Sequence, residues 1–335
     1  MEAILLVGGK GTRLLPLTID TPKPMLKVAG IPFIAHQIGY AKAHGVTRIV
    51  VATSYKTEQF LDYLGDGSRF GIEIVHAVEH EPLGTGGAIA NAANLLESSA
   101  DAPIAVLNGD ILSAHDISAQ VLAHQRLHSD VTLHLVEVPD ARAYGSVPTN
   151  SDGRILQFLE KTENPPTNFI NAGCYIFTRE VINLIPHEKV ISVERETFPE
   201  LLAQGRNLWA YQSSDYWIDI GTPRALLKAT TDLVTGKFIS PAYLPNTSQT
   251  YIDDRAVISA SAIVLPGSAV GAATVGAGTT IESSVIGDGV LIEKEVAIKE
   301  SIIGDGVVIH EGAHISGAFL GGAGVVIEAN SRHFG

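Results

Sequence analysis

The feature of this 335-residue chain that leaves least freedom to the fold is a repeat near its C-terminal end. Ser-Val-Ile-Gly-Asp-Gly-Val, starting at Ser284, returns as Ser-Ile-Ile-Gly-Asp-Gly-Val from Ser301 and, degraded, as Ala-Phe-Leu-Gly-Gly-Ala-Gly from Ala318, each start 17 residues after the last. Through these units an aliphatic residue falls every five or six positions: Ile281, Ile286, Ile292, Ile298, Ile303, Ile309, Ile315, Leu320 and Val326. A strand of an open sheet buries alternate residues, so a period of two is required there and is not met. One inward aliphatic per six residues, with Gly, Ala or Ser at the corners, builds a triangular coil that stacks on the next at about 4.8 Å. The repeat predicts a parallel β-helix from residue 256 onward, with room for about four coils.

Residues 3–235 follow a different rule. Strand-like runs at 3–7, 48–53, 72–78, 104–107 and 131–138 alternate with helical patterns at 33–44, 86–98 and 116–128, the order of strand-helix-strand crossovers on an α/β sheet. Looser strands at 145–147, 155–160 and 170–177, with helices at 194–204 and 222–233, read as a second lobe on the same sheet. Residues 236–255, which include Ser240, Pro241, Pro245 and Asn246, lack periodicity and read as a linker. The expected domains are therefore 1–235, 236–255 and 256–335.

Composition narrows the partners. Lys plus Arg is 23 against 36 Asp plus Glu, a net charge of −13, the wrong sign for following a nucleic-acid backbone or an anionic membrane. An anionic ligand must find a local basic pocket. One cysteine, Cys174, makes neither an internal disulfide nor a multi-cysteine metal site, so a reducing cytoplasm is expected and Cys174 is expected to be small core packing. No apolar run approaches the ~20 residues of a membrane span, and the early strand-like run leaves no room for a signal peptide.

The chemistry is concentrated after the first strand. Val7, Gly8, Gly9, Gly11 and Thr12 form a turn where backbone N–H groups can approach a phosphate with no Cβ in the way. Arg13 and Lys23 bring cations to it, and Pro22 and Pro24 stiffen the approach of Lys23. Two familiar phosphate motifs do not fit: a dinucleotide fingerprint wants Gly at Leu14, and a P-loop wants Gly-Lys-Ser/Thr after a four-residue spacer.

Further motifs follow in order: Pro-Leu-Gly-Thr-Gly-Gly at 82–87, Asn-Gly-Asp at 108–110, Phe-Leu-Glu-Lys at 158–161, Ile-Asn-Ala-Gly at 170–173, Ser-Val-Glu at 192–194 and Trp-Ile-Asp at 217–219. With Gly-Gly-Lys-Gly-Thr-Arg-Leu at 8–14 and Pro-Lys-Pro at 22–24, the chain resembles the sugar-1-phosphate nucleotidylyltransferases along almost its whole length. One departure is Leu15, where many relatives carry a second Arg. The resemblance implies a Rossmann-like, glycosyltransferase-A-like mixed sheet with a C-terminal left-handed parallel β-helix. It implies transfer of GMP from GTP to mannose 1-phosphate, with pyrophosphate leaving and Mg²⁺ assisting.

By the same resemblance, Asp110 and Asp219 would bind Mg²⁺, Arg13 the triphosphate and leaving pyrophosphate, Lys23 the α-phosphate and Lys161 the sugar phosphate. Gly145, Glu160, Asn171, Gly173 and Glu194 would line the sugar pocket. The nucleotide would lie on the glycine turn, Asn108, Glu79, Pro82, Gly84 and Thr85, where a Glu79 carboxylate can accept from the guanine N1–H and amino donors. These residue types suit the reaction. A phosphate monoester with a second pKa of about 6 is already an ionised nucleophile, so the site must neutralise charge and align two polyanions rather than supply a base. The β-helix repeat has only Lys294, Lys299 and Arg332 as permanent cations, too scattered for a nucleotide, so it is expected to assemble a homo-oligomer and not to perform chemistry. Other readings are an enzyme for a heptose, another sugar or a cyclitol 1-phosphate; a hexapeptide acyltransferase with His310 or His314 as base; and a non-catalytic regulatory homologue. The retained Arg13, Lys23 and Lys161 weigh against the last.

Overall fold

The computed structural model describes residues 1–159, 161–322 and 324–335. Packing divides the chain into two compact units, Met1–Gly9 with Tyr40–Trp217, and Lys10–Gly39 with Ile218–Gly335.

The first unit is built on a seven-stranded sheet ordered Leu208–Ser213, Val131–Glu137, Phe169–Thr178, Pro103–Asn108, Glu2–Leu6, Arg48–Thr53 and Glu73–Val78. Phe169–Thr178 runs antiparallel to both neighbours and every other pairing is parallel, so the sheet is mixed as the resemblance implied. Glu2–Leu6 and Arg48–Thr53 are buried at every residue, as a central strand covered on both faces must be. The core around them includes Ile4, Val50, Val106, Leu133, Tyr175, Phe177 and Phe198. Leu6 and Asn108 are partners in register. Strands Glu2–Leu6 and Pro103–Asn108 thus end side by side at the carboxyl edge, where open α/β sheets bind ligands.

Most expected elements are present within a few residues. Helix Gly84–Ala93 starts two residues before the expected 86, and the expected helix at 194–204 is a π-helical turn, Val193–Thr197, running into the α-helix Phe198–Ala203. Of the expected strands at 145–147 and 155–160, the described residues contribute isolated bridges, Ser146 to Leu159 and Ile170 and Thr149 to Ile155, in place of full strands. Helix Thr57–Leu64 and strand Leu208–Ser213 were not anticipated.

In the second unit, strands of two or three residues stack into three parallel five-stranded sheets, the left-handed parallel β-helix expected. It has five coils, one more than the repeat suggested. The first begins at Tyr251–Ile252, inside the stretch read as linker, and lacks the Ser-x-x-Gly-Asp-Gly signature by which the later coils were recognised. Ile281, Ile286, Ile292, Ile298, Ile303, Ile309 and Ile315 all point inward, whereas Val326 is about half exposed and Ile327 fills the core. Ile309 pairs with Ile327, 18 residues on, while Ile292 pairs with Ile309 at 17. One extra residue in the last turn therefore moves the inward position by one. Phe238, Ser240, Tyr243 and Thr250 are buried, so the segment before the first coil is packed and not extended through solvent. The Ser240 hydroxyl lies 2.7 Å from Nδ1 of the buried His36, whose Nε2 faces the Val28 carbonyl.

Candidate active site

In the first unit the glycine turn and the Asn108–Asp110 turn leave the sheet together. The Gly109 N–H donates to the Leu6 carbonyl at 2.7 Å, and a Cβ at Gly109 would come within 2.2 Å of that oxygen. Gly8 lies against Ser54, while Gly9, with a φ of 129°, faces open space within 4 Å of where a Cβ would stand. Asp110 is half-buried beside this turn.

The expected nucleotide loop and sugar pocket meet at one carboxylate. Glu194 Oε2 accepts from Thr85 Oγ1 at 2.9 Å and from Ser192 Oγ at 3.0 Å, and Oε1 accepts from the Tyr175 hydroxyl at 3.2 Å. The Tyr175 oxygen in turn accepts from Asn171 Nδ2 at 2.7 Å, and Asn171 Oδ1 accepts from the Gly173 N–H. A Cβ at Gly173 would stand 3.1 Å from Cβ of Asn108, so the Asn108 turn packs against the same strand. Burial, reinforced by the Glu194 charge, raises the Tyr175 phenol well above its ordinary pKa, so it stays a neutral donor. Tyr175 and Ser192 were not among the expected site residues. Tyr175 stands four residues beyond Asn171, past a shift in register against the neighbouring strand at the left-handed Gly173, so strand alternation alone does not select it.

Other expected residues take more specific places. Glu79 is buried, and its Oε2 accepts from the Leu83 N–H at 3.0 Å; burial, only partly offset by that bond, raises its pKa. One of its oxygens therefore shapes the loop that contains Pro82. Gly84, with a φ of 71°, is required because a Cβ there would come within 2.5 Å of the Ile191 carbonyl. Gly145 makes room for the Leu159 carbonyl, and Lys161 is exposed. Glu160 lies outside the described residues. Cys174 is buried with its thiol 3.4 Å from Gln120 Oε1, and burial pushes its pKa up, in keeping with core packing.

In the second unit, Gly11 is left-handed at φ 60° and starts the short turn Thr12–Leu14; a Cβ on it would stand 3.1 Å from Cβ of Lys23. This close approach brings the two cationic segments together. The exposed Arg13 guanidinium covers Gly221, where a Cβ would lie within 3.0 Å of it. Lys23 Nζ is 3.9 Å from Asp219 Oδ1, with both side chains largely buried.

Asp110 follows strand Pro103–Asn108, and Asp219 ends strand Trp217–Asp219. Both offer the hard oxygen donors that Mg²⁺ prefers. Among the described residues no three His, Cys, Asp or Glu side chains are gathered into a cage. Each of the two aspartates suits an ion whose shell is completed by substrate phosphates and water.

The family model described as Nucleotidyl transferase matches residues 2–236, and that described as GMPPB C-terminal domain matches residues 246–332. The chain is 45% identical over 301 residues to mannose-1-phosphate guanylyltransferase of Mycobacterium tuberculosis, covering 89% of this chain and 83% of that one. It is 35% identical over 300 residues to probable mannose-1-phosphate guanylyltransferase 3 of Oryza sativa, covering 89% and 76%. The crystal structure of HddC from Yersinia pseudotuberculosis superposes with a TM-score of 0.59 at 34% identity, over 68% of this chain and 97% of that one, and has also been solved complexed with GMP-PN. Nucleotidyl transferases generally use a divalent metal ion. Among the described residues no helix is long and apolar enough to cross a membrane. With the mixed sheet, the β-helix and this sequence identity together, the chain belongs to the nucleotidyl transferase family, among relatives named mannose-1-phosphate guanylyltransferase, and is a nucleotidyltransferase.

Proposed function

We propose that the chain makes GDP-mannose and pyrophosphate from GTP and mannose 1-phosphate, by in-line attack of the sugar phosphate on the α-phosphorus of GTP. The observation that carries this reading is the join at Glu194, where the Thr85 loop and the Tyr175–Asn171 strand are tied to one carboxylate. That join supports adjoining places for a nucleotide and a sugar in the same unit. The 45% identity to a guanylyltransferase supports guanine and mannose as the two partners.

In the mechanism, the backbone of Val7, Gly8, Gly9, Gly11 and Thr12 receives the triphosphate, with Arg13 countering the charge that builds on the departing pyrophosphate. Lys23 neutralises the α-phosphate, and Lys161 holds the sugar phosphate in line. Asn108 and Thr85 orient the nucleotide. Glu79, Pro82 and Gly84 form the base loop, in which the Glu79 carboxylate accepts from guanine. Gly145, Glu160, Asn171, Gly173 and Glu194 surround the sugar. Asp110 and Asp219 are the residues that would hold Mg²⁺, which when bound supplies charge neutralisation at the phosphates. No general base is required, because the attacking phosphate is already ionised near neutral pH. The enzyme works in the cytoplasm and assembles as a homo-oligomer through the flat faces of its β-helix.

Incubating the protein with GTP, mannose 1-phosphate and Mg²⁺, then identifying the products by chromatography, tests this directly. GDP-mannose and pyrophosphate in equal amounts, abolished by EDTA, are expected. Failure to form GDP-mannose with Mg²⁺ present would overturn the reading.

A further inference from the structure

The segment Lys10–Gly39, which carries Arg13 and Lys23, packs into the same unit as the β-helix. Its later half is anchored by the buried Val28, Phe33, Ile34 and Ile38, and the following contacts join it to the β-helix coils. Pro16 meets Gly321, where a Cβ would be 2.9 Å from the proline ring, and Gly30, at a φ of 76°, lies flat against the Tyr251 ring, leaving no room for a side chain. The third contact is polar: Lys27 Nζ donates to Asp288 Oδ2 at 2.6 Å, across 261 residues of sequence. Between the contacts the joint is hollow. A cavity of about 390 Å³ is lined by Met25, Lys27 and Gly30 on the segment and by Asp288, Gly304 and Asp305 on the coil corners.

The two oxygens of Asp288 do different work. Oδ1 accepts from the Ala272 N–H in the preceding coil at 3.2 Å, and one coil later Asp305 Oδ1 likewise accepts from the Asp288 N–H at 2.7 Å. That bond is the ordinary task of an Asp at this corner of the repeat. Oδ2 of Asp288 faces Lys27 Nζ at 2.6 Å, with Arg255 Nη2 3.7 Å from the same oxygen. Partial burial opposes ionisation of Asp288, but the bonds from Lys27 and Ala272 outweigh it and keep the carboxyl below its usual range.

We propose that Asp288 is a positioning residue for nucleotidyl transfer: through Lys27 it fixes the turn Lys23–Met25, and with it the Lys23 ammonium, making a β-helix coil part of the catalytic apparatus. Lys27 stands only two residues beyond that turn, and the Leu26 N–H closes back on the Lys23 carbonyl at 3.1 Å, so movement at Lys27 is passed to Lys23. The ion pair is about one-third exposed on each side, so its contribution to stability is small. Its effect on rate is larger, since a displacement of about 1 Å at a reacting group can cost on the order of 10²-fold.

The inference rests on the role proposed for Lys23. The test compares Asp288→Asn, which keeps the Oδ1 acceptor and removes the charge, with Lys27→Met, which leaves the coil untouched, and with Asp305→Asn, which makes the same change one coil on and keeps the Oδ1 that accepts the Asp288 N–H. Asp288→Asn and Lys27→Met are each expected to lower kcat about tenfold with the melting temperature nearly unchanged, and the double variant to be no slower than either single one. Asp305→Asn is expected to stay within about twofold of the parent rate. Full activity in Asp288→Asn, an equal loss in Asp305→Asn, or additive losses in the double variant would each overturn the proposal. A Lys23→Ala variant separates the two readings: if it keeps the parent rate, the role of Lys23 fails, whereas an inactive Lys23→Ala beside an active Asp288→Asn sinks only the positioning role.

Discussion

Glu194 is oriented before any sugar arrives: Thr85 and Ser192 donate to Oε2 and Tyr175 to Oε1, which keeps acceptor capacity for a further donor. A carboxylate held in this way does not need to reorganise when substrate binds, which is the condition under which fixed polar groups contribute most to rate. Asp110 and Asp219 are the residues on which the proposed metal chemistry depends. Replacing either by Asn keeps the side-chain shape and removes a charged oxygen, so Asp110→Asn and Asp219→Asn are each expected to lower kcat by roughly 10²-fold or more, with folding preserved. Steady-state rates at saturating Mg²⁺, read beside circular dichroism, check this. Near-parental rates would show that these carboxylates do not carry the metal. Lys23 lies 3.9 Å from Asp219, so the Asp219 variant also tests whether the ammonium keeps its place without its counter-charge.

At the scale of elements, the β-helix explains its own sequence. Ser268, Ser284 and Ser301 form a buried column in which each hydroxyl accepts the N–H of the residue one coil on, Ser284, Ser301 and Ala318. The repeat begins with Ser for this reason, while its degenerate third copy begins with Ala, whose N–H is the one that Ser301 satisfies. Ser301→Ala should leave the buried Ala318 N–H unsatisfied and cost about 1–3 kcal/mol, measurable by denaturant unfolding of the full chain. An unchanged midpoint would mean that the column is decorative. The same comparison shows what could be read in advance. The inward isoleucines, the fully buried strands and the order of the motifs were legible because each rests on local spacing. The first coil, the shifted Val326 and Ile327, the Tyr175 hydroxyl and the pairing of Lys27 with Asp288 were not, because each depends on which distant segment the fold brings alongside. Gly84 illustrates the difference: the residue was identified, but the atom that demands it is the Ile191 carbonyl, which no local pattern reveals.

Over the whole molecule, buried histidines set the response to acid. Burial lowers the imidazoles of His36, His115 and His124 to about 4 and that of His134, stacked 3.7 Å from His115, to about 2. In the unfolded chain these groups take up protons below about pH 6.5, whereas the folded chain resists until much lower pH. Stability is therefore complete above pH 6.5 and falls as the pH drops toward 4, by on the order of 1 kcal/mol per histidine over the first unit of pH. Melting temperatures at pH 7.5 and pH 5 should differ by several degrees, and a variant with both His115 and His134 replaced by Asn should lose less between the two. Parallel pH profiles would remove these histidines as the cause.

Guanylyl transfer to mannose 1-phosphate is the centre of the account, and choice of base is where it is most exposed, since Glu79 has one oxygen bound to Leu83 and offers guanine only the other. The most direct measurement is kcat/KM for pyrophosphate release with GTP, ATP, UTP and dTTP, each paired with mannose 1-phosphate at saturating Mg²⁺. One good polar contact to the base corresponds to about 1.4 kcal/mol, so GTP is expected to be used at least about ten times better than UTP or dTTP, with ATP the nearest competitor. Equal values for all four triphosphates would contradict the guanylyl assignment while leaving the reaction class in place.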